Sequence, residues 1–197
     1  MPQITGVFSL FPDLDSITAA DISALSSEPL EHHFVENYLG NKILHPQSVA
    51  TNKQELDLDF YILSIAIKKH PEVFFNSSQN RIIIPGIAMY HFPPLTRLVA
   101  VVLLDIPASK VTDIWLKGET EQKLLGSCIP RLLINQLNIS GDLKLTIQNQ
   151  EKTLIPNQLN LIPVQEKQVK IVLNQTQNLT AVGGSLGIFV DLRGGTI

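Results

Sequence analysis

The chain of 197 residues contains a single cysteine, Cys128, so no disulfide can close within it. Charge is scarce as well: 17% of residues are charged, against roughly 25% in ordinary globular proteins. No apolar run exceeds the seven residues Leu98–Leu104, far short of the ~20 that a membrane-crossing helix needs. The first eight residues, Met1 to Phe8, lack the basic and long apolar regions of a secretory signal. These absences predict a reducing, cytoplasmic location with no transmembrane segment. Four Asn-x-Ser/Thr triplets, at Asn76, Asn138, Asn174 and Asn178, then read as chance in an asparagine-rich chain. The four arginines, Arg81, Arg97, Arg131 and Arg193, lie far apart, so the clustered basic face of a nucleic-acid binder is not expected.

What fills the space left by charge is amide. Asn and Gln number 12 and 13, and 15 of these 25 fall in residues 131–197. Apolar residues make up 44% and the net charge is only −3, so the composition is that of a folding chain rather than a disordered one. The charge is uneven. Residues 1–60 hold nine acids against Lys42 and Lys53, and the remainder holds nine acids against thirteen bases.

Helical signals dominate the first 75 residues. Thr18 with Asp21 forms a capping-box variant that opens a short helix to about Leu25. Ser27-Glu28-Pro29 predicts a second helix through Phe34, Val35 and Tyr38, stopped at Gly40. Thr51 with Gln54 predicts a third start, after which Leu56, Phe60, Leu63 and Ile67 follow helical spacing until Pro71.

Beyond Asn80 the pattern turns to strands. Arg81–Ile84 and Arg97–Leu104 are nearly charge-free runs rich in Ile, Val and Leu, and read as strands covered on both faces. The proline-broken segment between them, Pro85–Pro94, reads as an ordered loop. Val111–Leu116 predicts a strand and Glu119–Leu125 a short helix. About five strands are expected after Arg131. Among them Leu143–Gln148 and Gln168–Leu173 alternate apolar with polar residues, and each follows an Asn-Gln-Leu-Asn quartet, at 135–138 and 157–160. Two uneven copies do not make a solenoid, which needs three or more stacked units. The expected architecture is one α+β domain over 1–197, with a helical part (13–71) and a β-rich part (80–197). N-terminal helices would pack on a mainly antiparallel sheet, arranged as a sandwich or a partly open barrel.

Chemistry is thinly marked. Glu28, His32 and Glu36 fall on one helical line, with Glu31 and His33 adjacent, but HExxH is absent and a solvated helix face explains them. Asp57 and Asp59 point about 200° apart on a helix, where first-turn dipole complementation accounts for them. Asp105 ends an apolar run, though Pro107 suggests a turn there. His70 and His91 flank apolar segments. Cys128 has no assigned base and reads as a small buried apolar residue. Gly183-Gly184-Ser185-Leu186-Gly187 is glycine-rich, yet a strand follows and no lysine is near, so a hairpin or bulge is expected instead of a phosphate cradle. No GxSxG elbow occurs. No catalytic residue, metal ligand or cofactor is assigned.

The favoured reading is a non-catalytic interaction or assembly protein. It would engage a protein partner or a second copy of itself, with sheet-edge association promoted by amide-rich strands. The alternative is a binding module for an apolar small ligand held between sheet and helices, with Tyr90, His91 and Phe92 as its contacts. An enzyme of unspecified class, using Asp105 and His91, ranks third.

Overall fold

A computed structural model describes residues 6–104, 106–136, 143–147, 150–164, 168–173 and 177–193. The fold is α+β, and the chain divides into two compact units. The first comprises Met1–Phe74 and Pro85–Ile106, the second Phe75–Ile84 and Pro107–Ile197. The helical unit therefore includes 85–106, a stretch that the strand-like composition assigned to the β-rich part.

In the helical unit, short 3-10 turns at Val7–Leu10 and Leu14–Ser16 lead into α1 (Ala19–Ser23). Its start matches the sequence reading: the Thr18 hydroxyl accepts from the Asp21 amide, and the Asp21 carboxylate accepts from the Thr18 amide. Helix α2 (His32–Leu44) begins later than expected and runs through Gly40, which sits mid-helix with open space around its Cα. Helix α3 (Lys53–Lys69) is capped one residue later than predicted, by Asn52 accepting from the Glu55 amide. Thr51 joins the same cap, its amide and hydroxyl donating to the Glu55 carboxylate. The helix stops at His70, ahead of Pro71, whose ring cannot continue it.

Two expectations fail in the segment that follows. Pro85–Pro94 is not a loop: Gly86–His91 forms helix α4. Arg97–Leu104 is not a strand either, because Leu95–Val102 forms helix α5 with Leu98, Val99 and Val102 buried along one face. A short apolar run fits a buried strand and a buried helix equally, and only its neighbours decide. Here the neighbour is α3. Arg97 pairs with Asp57 of that helix and lies 4.0 Å from the centre of the Phe60 ring.

The second unit is built mainly of strands: β1 (Phe75–Asn76), β2 (Arg81–Pro85), β3 (Thr112–Lys117), β4 (Gln122–Ile129), β5 (Lys144–Ile147), β6 (Gln150–Thr153), β7 (Leu159–Ile162), β8 (Val169–Leu173), β9 (Gln177–Ala181) and β10 (Gly187–Asp191). One short helix, α6 (Arg131–Gln136), interrupts them. The helix predicted over Glu119–Leu125 is instead the turn and first half of β4. The Gly118 amide donates to the Glu121 carbonyl, folding β4 back on β3, and its partner strand outweighs the helical propensity of Glu, Gln, Lys and Leu. Six strands form one sheet in the order β1-β2-β3-β4-β10-β7, mixed because β4 and β10 run parallel. The other sheet, β6-β5-β8-β9, is antiparallel throughout.

The two sheets share one core and do not close into a barrel. Ile129, Ile162, Ile188 and Val190 meet Leu145, Val169, Ile171 and Leu173, the sandwich alternative of the expected pair. The two alternating runs noted in the sequence turn out to be neighbours, since β5 pairs with β8 through Leu145 with Leu173 and Ile147 with Ile171. Their leading quartets do not share a structure. Asn135 and Gln136 end α6, Leu137 and Asn138 lie outside the described residues, and Asn157–Asn160 turns into β7.

The glycine-rich segment is a packing device, and it carries the chain from one sheet to the other rather than round a hairpin. A Cβ on Gly126 would meet the Gly187 carbonyl oxygen at 1.8 Å, and one on Gly187 would meet that of Ile162 at 2.2 Å. Both glycines have positive φ, +148° and +101°, which side chains resist. Beside them the β3–β4 ladder slips by one residue, so that Leu125 has no direct partner.

Candidate functional site

The three residues proposed to contact a ligand do not share a surface. On α4 Tyr90 is about three-quarters exposed at 76%, whereas His91 and Phe92 are buried. Phe92 packs against Phe8 and Phe60, with ring centres 5.6 and 5.1 Å away. The Glu28–His32–Glu36 line does not form, because Glu28 precedes α2; exposed His32 and His33 both face Glu36, at 3.2 and 3.8 Å. Among the described residues no three His, Cys, Asp or Glu side chains converge in a way that could hold a metal ion. His70 bridges Asp13 and Glu72 at 3.1 Å each. Cys128 is fully buried, and burial, with help from Asp191, pushes its thiol well above the ordinary range. Asp105 lies outside the described residues.

The residues that do come together were not foreseen as a group. Lys42 on α2 and Asp59 on α3 form an ion pair at 2.9 Å, with their side chains 1% and 0% exposed. Tyr38, one turn before Lys42, donates to the other Asp59 oxygen at 2.8 Å. The Lys42 ammonium also donates to the Ser48 carbonyl at 2.6 Å and lies over the Phe8 and Tyr38 rings. His91 closes the cluster edge-on to Phe8, its Nδ1 buried without a hydrogen-bond partner, as is the Ser48 hydroxyl.

This environment shifts the titrating groups in opposite senses. Burial raises the Asp59 carboxyl to about 6, although the Lys42 charge and the hydrogen bonds from Lys42 and Tyr38 pull it down. Burial lowers His91 to about 4, and the nearby Lys42 charge adds to the effect. The Tyr38 hydroxyl is raised far above its usual value, first by burial and then by the Asp59 charge. At neutral pH Asp59 is thus ionised and the His91 imidazole uncharged. One sequence signal pointed here: Asp59 precedes Leu63, Ala66 and Ile67 by four, seven and eight residues, which puts a carboxylate on the buried stripe of α3. First-turn dipole complementation does not describe it, since six helical residues precede it.

A buried pair of this kind orders a fold; no substrate reaches an ammonium that is 1% exposed. The accessible features of the second sheet are its edges. At β6 all four side chains are exposed, Glu151 pairs with Lys144 at 2.7 Å, and Lys152 stands opposite Leu145 on the core side. Charges placed this way discourage pairing with another strand. At β9 the residues are Gln-Asn-Leu-Thr-Ala, within a stretch from Ile171 to Val190 that contains no charged residue. Asn178 and Thr180 are exposed, while Leu179 is half-buried against the shared core.

Compared with known protein families, with curated proteins and with solved structures, the chain shows no significant match. Among the described residues no helix is long and apolar enough to cross a membrane.

Proposed function

We propose that this chain is a non-catalytic interaction protein that associates through the β9 edge of its second sheet. The observation that carries the reading is the contrast between the two ends of that sheet. One end, β6, is guarded by Glu151 and Lys152, while the other, β9, has no charge on it or near it in sequence. The two remaining described edges, both in the six-stranded sheet, carry other devices. Strand β1 is two residues long, and β7 has the Asn160 amide tied to the backbone of Ile155 and Gln158. Closure of the Lys42–Asp59 pair to solvent is in keeping with a role without catalysis.

Sedimentation velocity over a concentration series tests this. The wild-type chain is expected to associate, Thr180→Lys on β9 to abolish association, and Thr153→Lys on β6 to leave it intact. A monomer at every concentration, or equal behaviour of the two lysine variants, would sink the proposal.

A further inference from the structure

From the register of β9 we infer that its partner is a second copy of this chain, joined antiparallel about a two-fold axis at Leu179. The inference rests on the edge-association reading above and adds the partner and the seam. Closed two-fold dimers use the same patch on both copies, so the patch must complement itself. Strand β9 meets that demand at its three central residues, Asn178, Leu179 and Thr180. On the core side, Ile171 of β8 faces Leu179, and Leu179 is the half-buried residue at the rim of the core. A two-fold at this position extends the row to Ile171, Leu179, Leu179 of the second copy and Ile171 of the second copy. Within that row the apolar core would continue across the seam, with Gln177 opposite Ala181 of the second copy in the neighbouring rows.

The solvent side is complementary as well. With Leu179 on the axis, Asn178 stands opposite Thr180 of the second copy, an amide facing a hydroxyl across the seam. Lys170 is the only charge among the β8 and β9 residues and faces Thr180. In the joined sheet its row runs Lys170, Thr180, Asn178 of the second copy and Val172 of the second copy. The two lysines therefore never share a row, and they sit three strand spacings apart, about 14 Å, beyond the reach of an unscreened repulsion at physiological salt. Joining the four-stranded sheets gives eight strands, within the ordinary range.

Cysteine cross-linking of the full chain, in a Cys128→Ala background, reads the seam directly. Residues facing each other across the axis bring their Cβ atoms to about 4.5–5.5 Å, whereas 178 and its own copy are diagonal at about 7–8 Å. Leu179→Cys is expected to give a covalent dimer on oxidation. Asn178→Cys alone is expected not to, but an equimolar mixture of Asn178→Cys and Thr180→Cys is. If sedimentation shows a dimer while Leu179→Cys fails to link, or Asn178→Cys links as readily, the seam is wrong and edge association survives. A chain that stays monomeric by sedimentation overturns both.

Discussion

The two units treat charge in opposite ways. The helical unit seals a lysine and an aspartate among aromatic rings, whereas the second sheet of the β unit leaves a whole edge without any charge. An enclosed ion pair contributes little net stability, because desolvation offsets most of its attraction, but it penalises every arrangement that separates the partners. It links α2 to α3 through Lys42 and Asp59. A charge-free edge has the reverse character. It costs the isolated unit nothing and leaves an open ladder that a matching strand can join. Specificity is thus built inward in one unit and, on our proposal, outward in the other.

The most severe way to break this comparison is to orphan one member of the ion pair. Lys42→Met leaves Asp59 buried without its counter-charge and should destabilise the chain by about 3–5 kcal/mol in urea unfolding followed by circular dichroism. The double variant Lys42→Met/Asp59→Leu should recover most of that loss. A single variant as stable as wild type would mean that the pair is not closed.

Acid titration sharpens the same point. His91 titrates at about 4 in the fold against 6.5 ordinarily, so the folded chain resists protonating it. Its contribution is full above pH 6.5 and is lost as pH falls, on the order of 3 kcal/mol at 1.36 kcal/mol per pKa unit. Asp59 works the other way. Its carboxyl is raised to about 6 from 3.8, so acidification from pH 6 toward 4 relieves the cost of burying the carboxylate. The two effects oppose each other between pH 6.5 and 4. His91→Gln should therefore gain stability relative to wild type as pH falls from 7 to 5, and Asp59→Asn should lose it. Parallel stability–pH curves for the two variants would refute the opposition.

In the β unit the crowded glycines set the next scale. Gly126→Ala forces a Cβ against the Gly187 carbonyl and should cost about 2 kcal/mol in thermal or urea unfolding. Gly40→Ala in α2 meets nothing within 4 Å and should instead stabilise by roughly 0.5–1 kcal/mol. The smallest loss expected is at the α1 cap, where Thr18→Ala should cost about 1 kcal/mol or less on that five-residue helix.

Legibility followed the range of the interactions. The Thr18 cap, the body of α3 and its stop before Pro71, and the alternating strands β5 and β8 were readable because their causes lie within a few residues of one another. Helix α5 and strand β4 were misread because their local propensities are ambiguous or contrary, and contacts with α3 and β3 decide them. The Lys42–Asp59–Tyr38–His91 cluster was missed for the same reason. Its members reach from Tyr38 to His91 along the chain, and no local pattern ties an α4 histidine to an α2 lysine.

By itself the sequence determined that no disulfide closes within the chain, that its first third is helical and its last third stranded, and that alternating apolar and polar residues mark half-buried strands. Those follow from composition and from side-chain periods of 3.6 and 2 residues. Only the tertiary structure decided which apolar run became a helix, which charges were sealed together and which sheet edge was left unguarded. Each of those outcomes depends on groups far apart in the chain, whose burial and pairing exist only once the backbone has brought them within a few ångströms.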